Sequence, residues 1–174
     1  MEIIAVGYIA LSGVKKIVEK CEEDLLKQYR KDFIDNAVLS ANQIKTLNDS
    51  DCQNVESIVN VGNGGIFAAL WDLGENLGCG MEINLRNIPI KQETVLICNL
   101  MDVNPYELES KGCYLLAVNN GIRVREELSS KGYIASIIGY TTDNNDRVIN
   151  NGEQKRFIEK NRGKEELERI FCDE

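Results

Sequence analysis

The chain has 174 residues at 19.6 kDa, 43% hydrophobic and 28% charged, which suits one globular domain and excludes a largely disordered chain. No apolar run approaches the roughly 20 residues of a membrane-spanning helix, and an early Glu2 without a basic leader argues against a secretory signal, so the expected location is the cytoplasm. Twenty basic against 28 acidic residues leave a net charge of −8 and no basic footprint for nucleic acid, while the complete absence of histidine removes Ser-His-Asp and Cys-His catalysis and every His-containing zinc site.

MEIIAVGYI reads as a first strand that stops before Ser12-Gly13. Val14, Ile17, Val18, Cys21, Leu25 and Leu26 then recur at helical spacing and predict a helix over 14–29. A second helix is expected from Asp32 to about Leu47, followed by a loop and the strand VESIVNV over 55–61. Gly62-Asn63-Gly64-Gly65 leads into a helix over 66–77, which Gly78 ends. A short strand GMEINL follows, then Pro89, a helix over 93–101, and a further helical turn opened by Asn104-Pro105. CYLLAV is apolar enough to be a central strand. A helix over 122–131, the strand IASIIGYT, a hairpin turning on Asn151-Gly152, and a closing helix over 165–171 complete the chain. The sum is an α/β or α+β domain with one sheet and helices packed on it.

Six cysteines occur without a C-x-x-C pair or zinc spacing and read as reduced thiols, mostly in the core. The segment NVGNGGIFAALWDLGENLGCG stands apart, because a strand feeds a glycine-rich turn from which a helix starts directly. The amides of Gly64, Gly65 and Ile66 would point from a helix N-terminus that favours an anion, and glycine permits close approach of a phosphate. This is neither a Walker loop nor a dinucleotide fingerprint. The alternative reading is a tight structural turn without a ligand.

The run from Gly62 to Leu100, with Gly64-Gly65, the Leu70 to Leu73 core, Gly80 to Ile83, Ile88 to Ile90 and the following Asn104-Pro105, resembles the C-terminal domain of the AIR synthase-related superfamily. GYIALSGVKKI and the later strands extend the resemblance over almost the whole chain, residues 1–174 forming a single such domain. The superfamily includes aminoimidazole ribonucleotide synthase, selenophosphate synthetase, thiamin monophosphate kinase and a hydrogenase maturation factor, of which the last type is most similar. The resemblance implies a three-layer α/β/α domain with partial ferredoxin-like topology. It also implies ATP and Mg²⁺, but these belong largely to an N-terminal domain of comparable size that has no counterpart in this sequence. Family members place His-Asp-x-Thr-Glu before the paired glycines, where this chain has Val59, Asn60, Val61, Gly62 and Asn63. Proton transfer and tight Mg²⁺ binding are lost with those groups.

The resemblance therefore implies the C-terminal half of an ATP-dependent protein that is inactive alone, with a stand-alone ligand-binding or assembly module as the alternative. Candidate anion- or nucleotide-binding residues are Asn60, Gly62, Asn63, Gly64 and Gly65. No metal ligand is assigned. Expected partners are a second copy or a separate ATP-binding domain, with a small phosphorylated ligand, no nucleic acid and no membrane. Self-association is expected through an uncovered first strand bearing Ile4, Val6, Tyr8 and Leu11. Cys172, near the C-terminal end, is similar in place to the C-terminal cysteine that accepts a carbamoyl group in the hydrogenase factor, although Asp173 and Glu174 would disfavour its thiolate. The alternative is an incidental thiol.

Overall fold

In the computed structural model, residues 1–51, 54–160 and 166–171 are described. Cys52 and Cys172 lie outside them. The elements are β1 (Glu2–Val6), α1 (Leu11–Leu26), α2 (Lys31–Asn42), β2 (Val55–Val61), α3 (Gly65–Leu77), β3 (Gly80–Asn84), α4 (Gln92–Leu100), β4 (Cys113–Val118), α5 (Gly121–Ser130), β5 (Ala135–Thr142), β6 (Arg147–Asn150), β7 (Lys155–Phe157) and α6 (Glu166–Phe171). The strands form one mixed sheet in the order β2-β4-β1-β5-β3-β6-β7. Every neighbouring pair is antiparallel except β3 with β6.

Side-chain alternation divides the core into two layers. Ile3 and Ala5 of β1, with Cys113, Leu115 and Ala117 of β4, face the cluster built from α1, α2, α3, α4 and α6. Ile4, Val6, Leu116 and Val118 face the other way, onto Val124 and Leu128 of α5. The run IIAV is thus apolar without alternation because both faces of β1 are covered. This is the helix-sheet-helix layering expected from sequence.

The position of β1 corrects the expected self-association surface. β1 pairs with β4 on one side and β5 on the other. Ile4, Val6 and Leu11 are buried and Tyr8 is half-buried, so these residues offer no open edge. The sheet ends instead at β2 and β7. β2 carries an exposed Glu56 at a register irregularity between Val55 and Ser57, both features that blunt edge pairing.

Four further features differ from the sequence expectation. α1 starts at Leu11 because Ala10, at φ 63°, turns the chain directly into the helix, with Val14 N–H donating to the Ala10 carbonyl at 2.9 Å. α2 ends at Asn42, since Leu47 crosses to pack with the α5-side cluster. The stretch after Asn104-Pro105 is a series of turns: the Asn104 side-chain oxygen accepts from the Tyr106 amide at 3.1 Å, an arrangement that competes with helix formation. The hairpin loop is also wider than Asn151-Gly152 alone, spanning 151–154, with Asn151 N–H donating to the Gln154 carbonyl at 3.2 Å.

Gly13, in the first turn of α1, is buried against Leu108, and a Cβ there would lie 2.4 Å from Leu108 Cγ. Gly13→Ala is therefore expected to destabilise the fold by about 1–3 kcal/mol through overpacking, read as a lower urea midpoint at unchanged slope. A midpoint equal to or above that of the parent chain would contradict this packing.

Candidate functional site

β2 delivers the chain to the glycine-rich turn, and α3 starts there with Gly64 and Gly65 both at positive φ, 78° and 66°. Asn60 and Asn63 are exposed and Gly62 is half-buried, whereas Gly64, Gly65 and Ile66 are buried. The cover is the loop over 104–110. The Tyr106 carbonyl accepts from the Phe67 amide at 3.2 Å, and the Gly62 carbonyl accepts from the Ser110 amide at 3.2 Å. A Cβ at Gly65 would sit 2.4 Å from the Tyr106 carbonyl oxygen. The glycine is required by a close approach of backbone to backbone.

This geometry separates the five candidate residues. Asn60 and Asn63 can meet a ligand or partner, and Gly62 partly so. The Gly64 and Gly65 backbone is closed over by the chain itself. ATP phosphates do not fit at these two glycines, because the Tyr106 carbonyl already occupies the approach. The side chains of the turn itself, Asn60 and Asn63, are neutral amides, weaker oxygen donors to Mg²⁺ than carboxylates.

The same loop is anchored to α1. Gly13 N–H and Ser12 Oγ both donate to the Glu109 carbonyl, each at 3.1 Å, and Ala10 N–H donates to Ser110 Oγ at 2.7 Å. The Glu109 side chain is only 1% exposed and is paired with Lys16 and, at 3.3 Å, with Lys111. Burial works against its charge, but the hydrogen bonds from the two lysines prevail and hold its pKa below the usual carboxylate value.

Beyond the turn lies a cleft of about 1030 Å³, at the upper end of the range for small-molecule sites. Sequence reasoning missed it, since its walls come from α3, the 104–107 segment and the β6–β7 hairpin with the chain after it. Phe67 and Tyr106 form one wall as a stacked pair, 5.3 Å between centroids and 11° between planes. Trp71 forms another, with the Arg147 guanidinium 4.0 Å above its ring and Arg147 bonded to Glu75 at 2.5 Å. Arg156, Lys160, Asn151, Gln154 and Asn104 add cations and amides. Glu107 also lines it, with a pKa raised first by burial and then by the neighbouring Glu166. Such a surface can hold a ligand with a flat apolar part and an anionic group.

None of the cysteines described reaches this cleft. Cys98 and Cys113 are buried, and desolvation pushes both thiols up to about 12, so they are inert core groups.

The description "AIR synthase related protein, C-terminal domain" matches residues 3–150. The chain belongs to this family. Among solved structures, Escherichia coli HypE, a hydrogenase maturation protein, matches with a TM-score of 0.70 at 19% identity, over 97% of this chain and 51% of that one. A HypE in complex with ATP matches with a TM-score of 0.68 at 13% identity, over 97% and 52% of the two chains. Thiamine-monophosphate kinase from Stenotrophomonas maltophilia gives 0.59 at 10% identity, over 82% and 47%. These likenesses establish the fold, and the chain spans about half the length of the structures it matches. No curated protein matches. Among the described residues no helix is long and apolar enough to cross a membrane.

Removing the buried carboxylate tests the anchoring of the loop. Because the folded-state pKa of Glu109 is depressed, its contribution is complete above the unfolded pKa and is lost as pH falls through the folded value. Glu109→Gln should lower stability at neutral pH by about 2 kcal/mol and flatten the acid side of the stability profile. Urea titrations at neutral and acidic pH check this; equal losses at both would mean the carboxylate charge is not the stabilising element.

Proposed function

We propose that this chain is the ligand-binding C-terminal half of an AIR synthase-related, ATP-dependent enzyme of the HypE type. An N-terminal ATP-binding domain, on the same polypeptide or a separate one, completes it. The observation that carries this reading is the length relation: the fold covers nearly all of this chain but half of each HypE chain, including the one in complex with ATP. The Tyr106 carbonyl against Gly65 and the neutral amide side chains of Asn60 and Asn63 support assigning the ATP phosphates and Mg²⁺ to the other domain. The exposed Asn60 and Asn63 are the part of the turn that faces outward to meet it. The aromatic and basic cleft beside the turn holds a small phosphorylated substrate, with the rings of Phe67, Tyr106 and Trp71 against its flat part and Arg156 and Lys160 at its anion. The assembly is cytoplasmic, either a complex with the ATP-binding domain or a dimer.

A second reading is favoured by one feature. Residues 59–63 carry no ionisable group, as suits a stand-alone module that binds a ligand without chemistry. Both readings use the cleft, and they differ in whether activity returns when an ATP-binding domain is added.

Trp71 is the single tryptophan of the chain and lines the cleft, so its fluorescence reports occupancy. Titration with thiamin monophosphate and with ribose 5-phosphate should give saturable changes for at least one, weakened about tenfold by Arg156→Met. ATP with Mg²⁺ should show no turnover by this chain alone. ATP hydrolysis by the purified chain would contradict the proposal, and activity on adding an ATP-binding domain would decide against the non-catalytic module.

A further inference from the structure

A second cavity, of about 180 Å³, opens where the ends of β1 and β4 approach the C-terminal end of α2, and it shares no lining residue with the cleft. It is lined in part by Tyr8, Ser40, Gln43, Lys45, Lys91 and Tyr133. The Lys91 ammonium lies 5.2 Å from the Tyr8 ring centroid and donates to Ser40 Oγ at 2.9 Å. The Lys45 ammonium lies 4.1 Å from the Tyr133 ring centroid and donates to the Lys131 carbonyl. Two cations are thus positioned on aromatic rings at one small cavity.

Among the described residues no carboxylate lines the cavity and no ion pair uses Lys45 or Lys91. The neighbouring acid, Asp51, is committed to Lys131 at 2.7 Å and to the Tyr133 hydroxyl at 2.7 Å. In a chain of net charge −8, two lysines lining one small cavity, with no acid among its described lining residues, is an unusual local excess of positive charge. One lysine would be enough to offset the partial negative charge at the end of α2. An ammonium has three donors, and among the described residues each of these makes a single hydrogen bond to protein, so donors remain at both.

The size limits the ligand. The cavity is below the roughly 300–1,000 Å³ of sites for drug-sized molecules, yet it has room for several waters at about 30 Å³ each. We propose that it is a binding site for a small oxyanion, a phosphate or the phosphoryl end of a phosphate monoester, held between Lys45 and Lys91 with the Gln43 amide as a neutral donor. Phosphate and not a bulky nucleotide is what this space admits.

Isothermal titration with inorganic phosphate and with methyl phosphate, an ester with no flat part for the cleft, tests the site and separates the two sources. Saturable binding is expected, tighter for the free ion if the cavity takes whole phosphate and tighter for the ester if it takes a phosphoryl end. Lys45→Met or Lys91→Met should each weaken binding about tenfold or more, and the double variant should abolish it. Lys45→Arg should keep it within a few-fold, and Lys27→Met, on an exposed lysine elsewhere, should leave it unchanged. Amide shifts in the parent chain give a readout that does not depend on any variant folding: phosphate should move Gly7, Gln43 and Gly132, and Trp71 fluorescence should not respond. Absence of saturable binding at millimolar phosphate, undiminished binding by a folded double variant, or shifts confined to 62–67 would overturn the proposal. Failure at this cavity leaves the Trp71 titrations untouched, so it is distinguishable from failure of the proposed function.

Discussion

Two carbonyl groups in one loop, those of Tyr106 and Glu109, accept from the first turns of two helices that leave the sheet separately, and the site follows from that sharing. A helix start leaves amides without intrahelical partners. Neither α1 nor α3 has a capping side chain, and both begin after a residue in the left-handed region, Ala10 and Gly64. The loop over 104–110 supplies what the caps do not. It can approach only because Gly13 and Gly65 lack side chains, and the Glu109 carboxylate, buried between two lysines, secures it from the α1 side.

That arrangement explains why a glycine turn that looks like an anion cradle in sequence is a closed joint in space. The features that suggest phosphate binding, paired glycines at a helix start, are the features that backbone packing needs as well. A local pattern cannot separate the two, because the decision lies with residues some 40 positions away. The side chains of Asn60 and Asn63 remain at the surface, and the cleft beside the turn collects the chemically useful groups.

The legible parts of the fold were those set by short-range pattern. β2 and β4 match the expected strands at Val55–Val61 and Cys113–Val118, because alternation marks one and unbroken apolarity the other. Helix ends were less legible where tertiary contacts override periodicity, as when Leu47 leaves α2 for the opposite face or Asn104 spends its side chain on a turn. The central place of β1 could not be read, since antiparallel pairing with β4 and β5 depends on partners more than 100 residues away. The cleft was invisible for the same reason: Phe67, Tyr106 and Arg156 are neighbours only after the hairpin folds over α3.

Hydrogen exchange addresses the shared joint most directly, because cooperative units exchange together. The amides of Ala10, Gly13 and Phe67, all donated to the loop, should exchange as slowly as those of β1 and β4, and Glu109→Gln should speed all three in step. Exchange of Gly13 and Phe67 at the rate of an open loop, while β1 and β4 stay protected, would contradict the account.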